Sequence, residues 1–121
     1  MKTSSYTLIP ATSYGSAVEN YDGVSASFIS TTQKASAYYS KSKSLQTVAW
    51  YTTGLVGILN VEATLDTDPA AGSYFPIHTI GDSITPLTEN SFVNLTGKYT
   101  WIRISVTDFT AGTISKVTVG Y

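Results

Sequence analysis

The chain reads as a succession of stretches in which apolar and polar residues alternate. In GVSASFIS, Val24, Ala26 and Phe28 fall on one face and Ser25 and Ser27 on the other. KASAYYS repeats the pattern more weakly through Ala35, Ala37 and Tyr39. SLQTVAWYT is apolar on both sides, with Leu45 and Tyr51 on one and Val48 and Trp50 on the other, which predicts a strand in the middle of a sheet. After a Thr-Thr-Gly turn, LVGILNVEATLD places Leu55, Leu59, Val61, Ala63 and Leu65 on one face, opposite Asn60, Glu62, Thr64 and Asp66. A slip of one residue would carry Glu62 into the core, so the register of this strand is firmly specified.

DTDPAAGS reads as a loop, because Asp-Pro and Ala-Gly favour turns. YFPIHTI is a short strand whose Pro76 argues for an edge or a bulge. GDSITPLTEN is broken by Gly81 and Pro86, and SFVNLTG follows it. Finally, YTWIRISVTDFTAGTISKVTVGY alternates Ile102, Ile104 and Val106 with Arg103, Ser105 and Thr107. It then alternates Val117, Val119 and Tyr121 with Lys116, Thr118 and Gly120. With FTAGTI as the connection and Gly112 free to take a positive φ, the segment predicts a C-terminal β-hairpin. Short strands recurring at intervals of about 8 to 15 residues, with no helical periodicity, predict a single jelly-roll-like β-sandwich of about eight antiparallel strands. One domain is expected, with residues 1–44 supplying N-terminal strands and a docking arm and residues 45–121 the sandwich core.

Composition reinforces this reading. Within 121 residues the hydrophobic share is 42% and the charged share 12%, the latter about half the usual globular value. Ser and Thr replace the missing charge, not the Gly, Pro or Gln of a disordered tract, and Thr, Val, Ile and Tyr suit a pleated, half-buried surface. Seven Lys and Arg are spread thinly and the net charge is −1, so the clustered cations that displace phosphate counterions are missing and no nucleic-acid partner is expected. So little surface charge gives weak protection against self-association, which suits a homo-oligomer or other symmetric assembly. There is no cysteine, hence neither a disulfide framework nor a thiolate metal site. No apolar run has signal-peptide or bilayer-spanning length, so a soluble chain that is not exported by the usual route, with no membrane partner, is expected.

Candidate chemistry is sparse. His78 is the sole histidine, and no nucleophile or carboxylate is paired with it by sequence; a solvent-facing or hydrogen-bonded strand histidine is the plainer reading. The serines fit no G-x-S-x-G pattern. Asp66, Asp68 and Asp82 have the oxygen chemistry for calcium, but Asp-x-Asp is common in turns and the EF-hand spacing is absent. Asn94-Leu95-Thr96 matches a glycosylation acceptor and reads as ordinary strand sequence. No enzyme, cofactor or metal is therefore expected. The nine Tyr and two Trp carry more weight. Tyr99, Trp101 and Arg103 share a strand face opposite Ile102 and Ile104, a row suited to packing on a second sheet, to a protein interface or to stacking on a sugar. Tyr38 and Tyr39, beside Lys41 and Lys43, form a second surface candidate, with a solvated loop as the alternative.

The combination TVAWYTTGLVGILNVEATLDTDP, YFPIHTI and LTGKYTWIRISVTDFTAGTISKVTVGY resembles small β-sandwich virion proteins of tailed bacteriophages, cyanophages in particular. In those, a Gly-then-alternating strand ending in ATL precedes an Asp-Pro loop. A Gly-x-Tyr/Phe-x-Trp-Ile/Val-Arg strand then leads to Phe-x-x-Gly-Thr-Ile and a final Tyr. The resemblance spans about residues 45–121. A looser kinship is to galactose-binding-like carbohydrate modules, whose last strands run Tyr-Ile/Val-Arg. The first resemblance implies a non-enzymatic structural component located in the virion, docked on other virion proteins as a capsid decoration, neck or tail component. The second implies a carbohydrate-binding module used in host attachment.

Overall fold

The computed structural model describes residues 5–39, 44–67 and 73–121. It is all-β, with eight antiparallel strands in one open sheet. The strands are β1 (Ser5–Ile9), β2 (Thr12–Ser13), β3 (Phe28–Ile29), β4 (Gln33–Lys34), β5 (Leu45–Thr64), β6 (Phe75–Ile80), β7 (Leu87–Thr96) and β8 (Trp101–Gly120); a single helical turn, α1 (Ser36–Tyr39), follows β4. Two 20-residue strands, β5 and β8, form the spine and pair from Thr47↔Gly120 to Thr64↔Trp101. β7 lies against the first half of β5 and β6 against its second half. On the outer side of β8, β1 and β2 take the C-terminal half, β3 and β4 the N-terminal half.

The two long strands correct the expectation of turns at Thr52-Thr53-Gly54 and at FTAGTI. Both glycines sit inside continuous strands, at bulges. Gly54 has φ 61° and Gly112 φ 91°, and the two meet across the ladder, where a Cβ on Gly112 would overlap the Gly54 carbonyl oxygen. The bulges also explain the burial pattern. In β5 the buried residues are Gln46, Val48, Trp50 and Thr52, then Leu55, Gly57, Leu59, Val61 and Ala63; Thr64, expected on the outer face, is buried as well at the strand's end. In β8 they are Ile102, Ile104 and Val106, then Phe109, Ile114, Val117 and Val119. An extra residue reverses the period-two alternation, and each reversal coincides with a register shift between β5 and β8. Apolar residues thus stay on one face of the sheet along both strands.

Side chains from the two halves of this long sheet meet in one core. Trp50, in the half that pairs with β7, lies 6.0 Å from the ring of His78, which pairs with Val61 in the other half. Below the bulge, Phe109 is fully buried, with ring centroids of Tyr21 at 5.2 Å, Tyr14 at 5.7 Å and Phe28 at 6.2 Å. Tyr21 is buried too, and its hydroxyl oxygen accepts from the Gly15 N–H at 2.9 Å.

A buried polar joint ties α1 to the spine. The Gln46 Oε1 accepts from Ser36 Oγ at 2.8 Å and from Ser36 N at 3.3 Å, while Nε2 donates to the carbonyls of Leu95 at 2.6 Å and Gly97 at 3.3 Å. Gln46 and Ser36 are both fully buried, so removing one partner strands the others away from water. Gln46→Leu is expected to cost about 2 kcal/mol, read as a lower urea midpoint at unchanged slope.

Three further expectations are corrected. Within KASAYYS, Ala35 to Tyr39 form no strand: the N–H groups of Ala35 and Ala37 donate to the carbonyls of Thr100 and Tyr99, and Tyr38 N–H turns back to Ala35, closing α1. GVSASFIS keeps only Phe28 and Ile29 in the ladder, and Val24 is 83% exposed. Here the Asp22 carboxylate accepts from the N–H groups of Val24 and Ser25 at 2.8 and 2.7 Å and from Ser25 Oγ at 2.7 Å, holding a turn instead of a strand. Leu65, assigned to the core face, is 60% exposed because β5 ends at Thr64, whose carbonyl takes the Thr100 N–H.

The Asp22 turn carries a pH signature. Hydrogen bonds from the Ser25 hydroxyl first, then from the Ser25 and Val24 N–H groups, lower its pKa from 3.8 to about 2. A carboxylate with a depressed folded-state pKa stabilises above the unfolded value and loses that contribution as pH falls toward the folded one. The gap in Tm between wild type and Asp22→Ala is therefore expected to be constant above pH about 5 and to close as the pH falls from 3.8 toward about 2. Thermal melts across that range check it.

Candidate interaction surface

The outward face of the sheet, where β4, β8 and β5 run side by side, gathers most of the residues singled out by sequence. Strand pairing sets Trp101 opposite Lys34 on one side and Thr64 on the other, and Arg103 opposite Glu62. The α1 turn brings Tyr38 edge-on to Trp101, ring centroids 5.3 Å apart at 72°. Lys34 Nζ sits 4.4 Å from the Tyr38 ring centroid and 5.8 Å from that of Trp101. The indole Nε1–H donates to the Thr67 carbonyl at 3.1 Å. Next along β8, Arg103 Nε donates to Glu62 Oε1 at 2.8 Å, and its guanidinium lies 4.0 Å from the Tyr74 ring centroid. Burial raises the Tyr74 pKa, and the Arg103 charge opposes that shift in part. The outcome is a row of cations and aromatic rings, Tyr38, Lys34, Trp101, Arg103 and Tyr74, each held by a neighbour and half-buried or better, apart from the marginally exposed Tyr38.

Tyr99 does not join this row. It precedes β8, and its ring packs against the core with Phe75 at 6.2 Å and closes over Gly97. The side chain of Tyr39, together with Lys41 and Lys43, lies outside the described residues. Lys34, Glu62 and Tyr74 complete the surface without having been singled out. Their signal in the sequence was faint: β4 is two residues long and shows no period, and the Arg103–Glu62 pair becomes visible only once β8 is laid on β5.

The remaining candidates have local roles. Asp82 accepts from the N–H groups of Thr85 at 2.6 Å and Ile84 at 2.8 Å, which in that order lower its pKa as in a capped turn. Asp68 lies outside the described residues, and among those residues no three His, Asp or Glu side chains converge as a metal site. Asn94 Oδ1 accepts from Thr47 Oγ1 at 2.7 Å. A cavity of about 10 Å³ beneath β1, lined by Leu8, Ile9 and Phe28 among others, has room for one water at most. No family model, curated protein or solved structure matches the chain.

Proposed function

We propose that the chain is a non-enzymatic structural component of a tailed-phage virion, docking on the capsid, neck or tail through its sheet surfaces. The observation that carries docking is the Tyr38–Lys34–Trp101–Arg103–Tyr74 row of mutually contacting rings and cations on the sheet. Tyr, Trp and Arg are the residue types enriched at protein interfaces and at their energetic centres. Rings and cations already held by neighbours lose little conformational entropy on docking, so more of the contact energy appears as affinity. The link to a virion comes from the resemblance over residues 45–121, and the low surface charge is compatible with life in an assembly.

The same geometry disfavours the carbohydrate reading. A sugar ring stacks on an open aromatic face. Trp50 is 5% exposed and donates its Nε1–H to Glu89, while Trp101 has Tyr38 and Lys34 against its ring. In the architecture we envisage, the two halves of the long sheet serve as the layers of a jelly-roll-like sandwich, for which the Trp50–His78 and Ser36–Gln46 contacts are the support.

Cryo-EM of intact particles from the natural source tests this reading. Density for the chain repeating over the shell makes it a decoration protein, and density confined to neck or tail makes it a connector; in either case the Trp101–Arg103 face should be covered. Particles without the chain would overturn the proposal. As a biochemical counterpart, Trp101→Ser with Arg103→Ser should abolish rebinding to particles stripped of the protein while far-UV circular dichroism is retained.

A further inference from the structure

β7 is an unguarded sheet edge. Its register with β5 runs unbroken from Leu45↔Thr96 to Thr52↔Glu89. The direction of its backbone groups follows from three bonds: Leu95 O accepts from Gln46 Nε2, Glu89 N–H donates to Thr52 Oγ1, and Gly97 N–H donates to Ser44 O. All three come from odd-numbered residues and point toward β5. Backbone groups alternate edges along a strand, so Thr88, Asn90, Phe92, Asn94 and Thr96 turn their N–H and C=O groups to the other edge. Among the described residues no strand pairs there. These same residues are exposed, Phe92 by 62%.

Sheet edges are normally protected by proline, charge, a bulge or brevity. The other edges here follow that rule. β6 contains Pro76 and a register shift, β1 has a shift between Thr7 and Ile9 with Pro10 just beyond, and β2, β3 and β4 are two residues long. β7 has ten residues; Pro86 and the register shift between Thr52 and Leu55 lie at its N-terminal end, the stretch from Glu89 to Thr96 has neither proline nor shift, and its one charged side chain, Glu89, is occupied by the Trp50 indole.

Its outward residues, Thr88, Asn90, Phe92, Asn94 and Thr96, read the same in both directions about Phe92. We propose that a second copy of this chain covers β7, antiparallel, across a two-fold axis through Phe92. Such an axis sets each Thr88 against the partner's Thr96, each Asn90 against the partner's Asn94, and Phe92 against the partner's Phe92. Like pairs of this kind suit adjacent strands. Threonines hydrogen-bond to each other, carboxamides are donor and acceptor at once, and aromatic rings pack; Thr88 Oγ1 and Asn94 Oδ1 already accept from the Gly54 N–H and Thr47 Oγ1, which leaves the Thr88 hydroxyl and the Asn94 amide their donors for the partner. A two-fold interface requires a self-complementary patch, and a charged edge would repel its own image. The uncharged palindrome meets that requirement and favours a copy over an unrelated strand. The two sheets would join into one.

The native chain has no cysteine, so a single introduced thiol reports only contacts between molecules. At a hydrogen-bonded antiparallel pair the Cα atoms are about 5.5 Å apart, within disulfide reach. Phe92→Cys is expected to oxidise to a covalent dimer. Asn90→Cys alone should stay uncrosslinked, and an equal mixture of Asn90→Cys and Asn94→Cys should form the mixed dimer. Wild type should sediment as a dimer. Asn90→Pro, which removes an edge N–H without touching the β5 ladder, should sediment as a monomer with unchanged circular dichroism. Wild type sedimenting as a monomer at high concentration would overturn the proposal, as would crosslinking of Asn90→Cys as fast as Phe92→Cys. Should Asn90→Pro fail to fold, the cysteine pairs decide alone. The dimer assumes nothing about a phage particle, so the two proposals fail separately.

Discussion

Gly112→Ala is expected to be the most damaging single-methyl substitution in the spine, lowering stability by about 4 kcal/mol or more. Two effects add. The residue has φ 91°, a conformation that L side chains rarely adopt, and the new Cβ would overlap the Gly54 carbonyl and lie 2.6 Å from Leu55 N. Those obstacles are backbone atoms of the neighbouring strand, which cannot rotate aside as a side-chain tip would. Relief requires opening the β5–β8 ladder where both strands reverse their buried face. Gly54→Ala is the control. Its φ of 61° carries the conformational penalty, but nothing lies within 4 Å of a Cβ there, so about 1 kcal/mol is expected. Thermal melts should separate the two, with a Tm drop of roughly 10 °C or more for Gly112→Ala and a few degrees for Gly54→Ala. Equal drops would show that close strand approach contributes nothing.

Phe109→Ala is expected to cost about 4 kcal/mol, in the range for truncating a buried aromatic ring. Phe109 is fully buried, touches Tyr14, Tyr21 and Phe28, and its N–H donates to the Ala26 carbonyl. Its ring therefore anchors the irregular stretch from Tyr14 to Phe28, which has few ladder hydrogen bonds of its own. Loss of the ring should be felt there first. Hydrogen exchange is expected to speed up at Gly15 and Tyr21 before it changes in β5. Uniform acceleration across the sheet would mean that Phe109 supports the fold only globally.

Much of the sheet was legible in the sequence because burial follows alternation. Ile102, Ile104, Val106, Val117 and Val119 are buried as the pattern requires, and Glu62 and Arg103 share the outer face. Strand continuity was not legible. A glycine in a turn and a glycine in a bulge look alike locally, and only the partner strand decides between them: Gly54 and Gly112 each have one passing alongside. Two-residue strands such as β4 have no period to detect, so Lys34 was not placed beside Trp101. The α1 turn was hidden for a different reason. Its alternation was real, but the N–H groups of Ala35 and Ala37 bond to the segment before β8 rather than to a strand. Tyr99 fell outside the row because the alternation of β8 begins at Trp101, after the bend at Gly97.

The position of β8 sets a timetable for synthesis. On the ribosome, β1 to β4 emerge long before β8, which among the described residues is the one strand they pair with, is also a partner of β5, and follows the other described strands in the chain. At cellular elongation rates the earliest strand waits on the order of ten seconds. Among the described strands, β5, β6 and β7 are the ones that can pair with each other in the interval. The nascent chain therefore passes through a half-built sheet with one side of β5 open, and closure comes as a single late event when β8 clears the exit tunnel. Synonymous changes that slow translation between β7 and β8 should lengthen that exposed interval and lower the soluble yield without altering any residue.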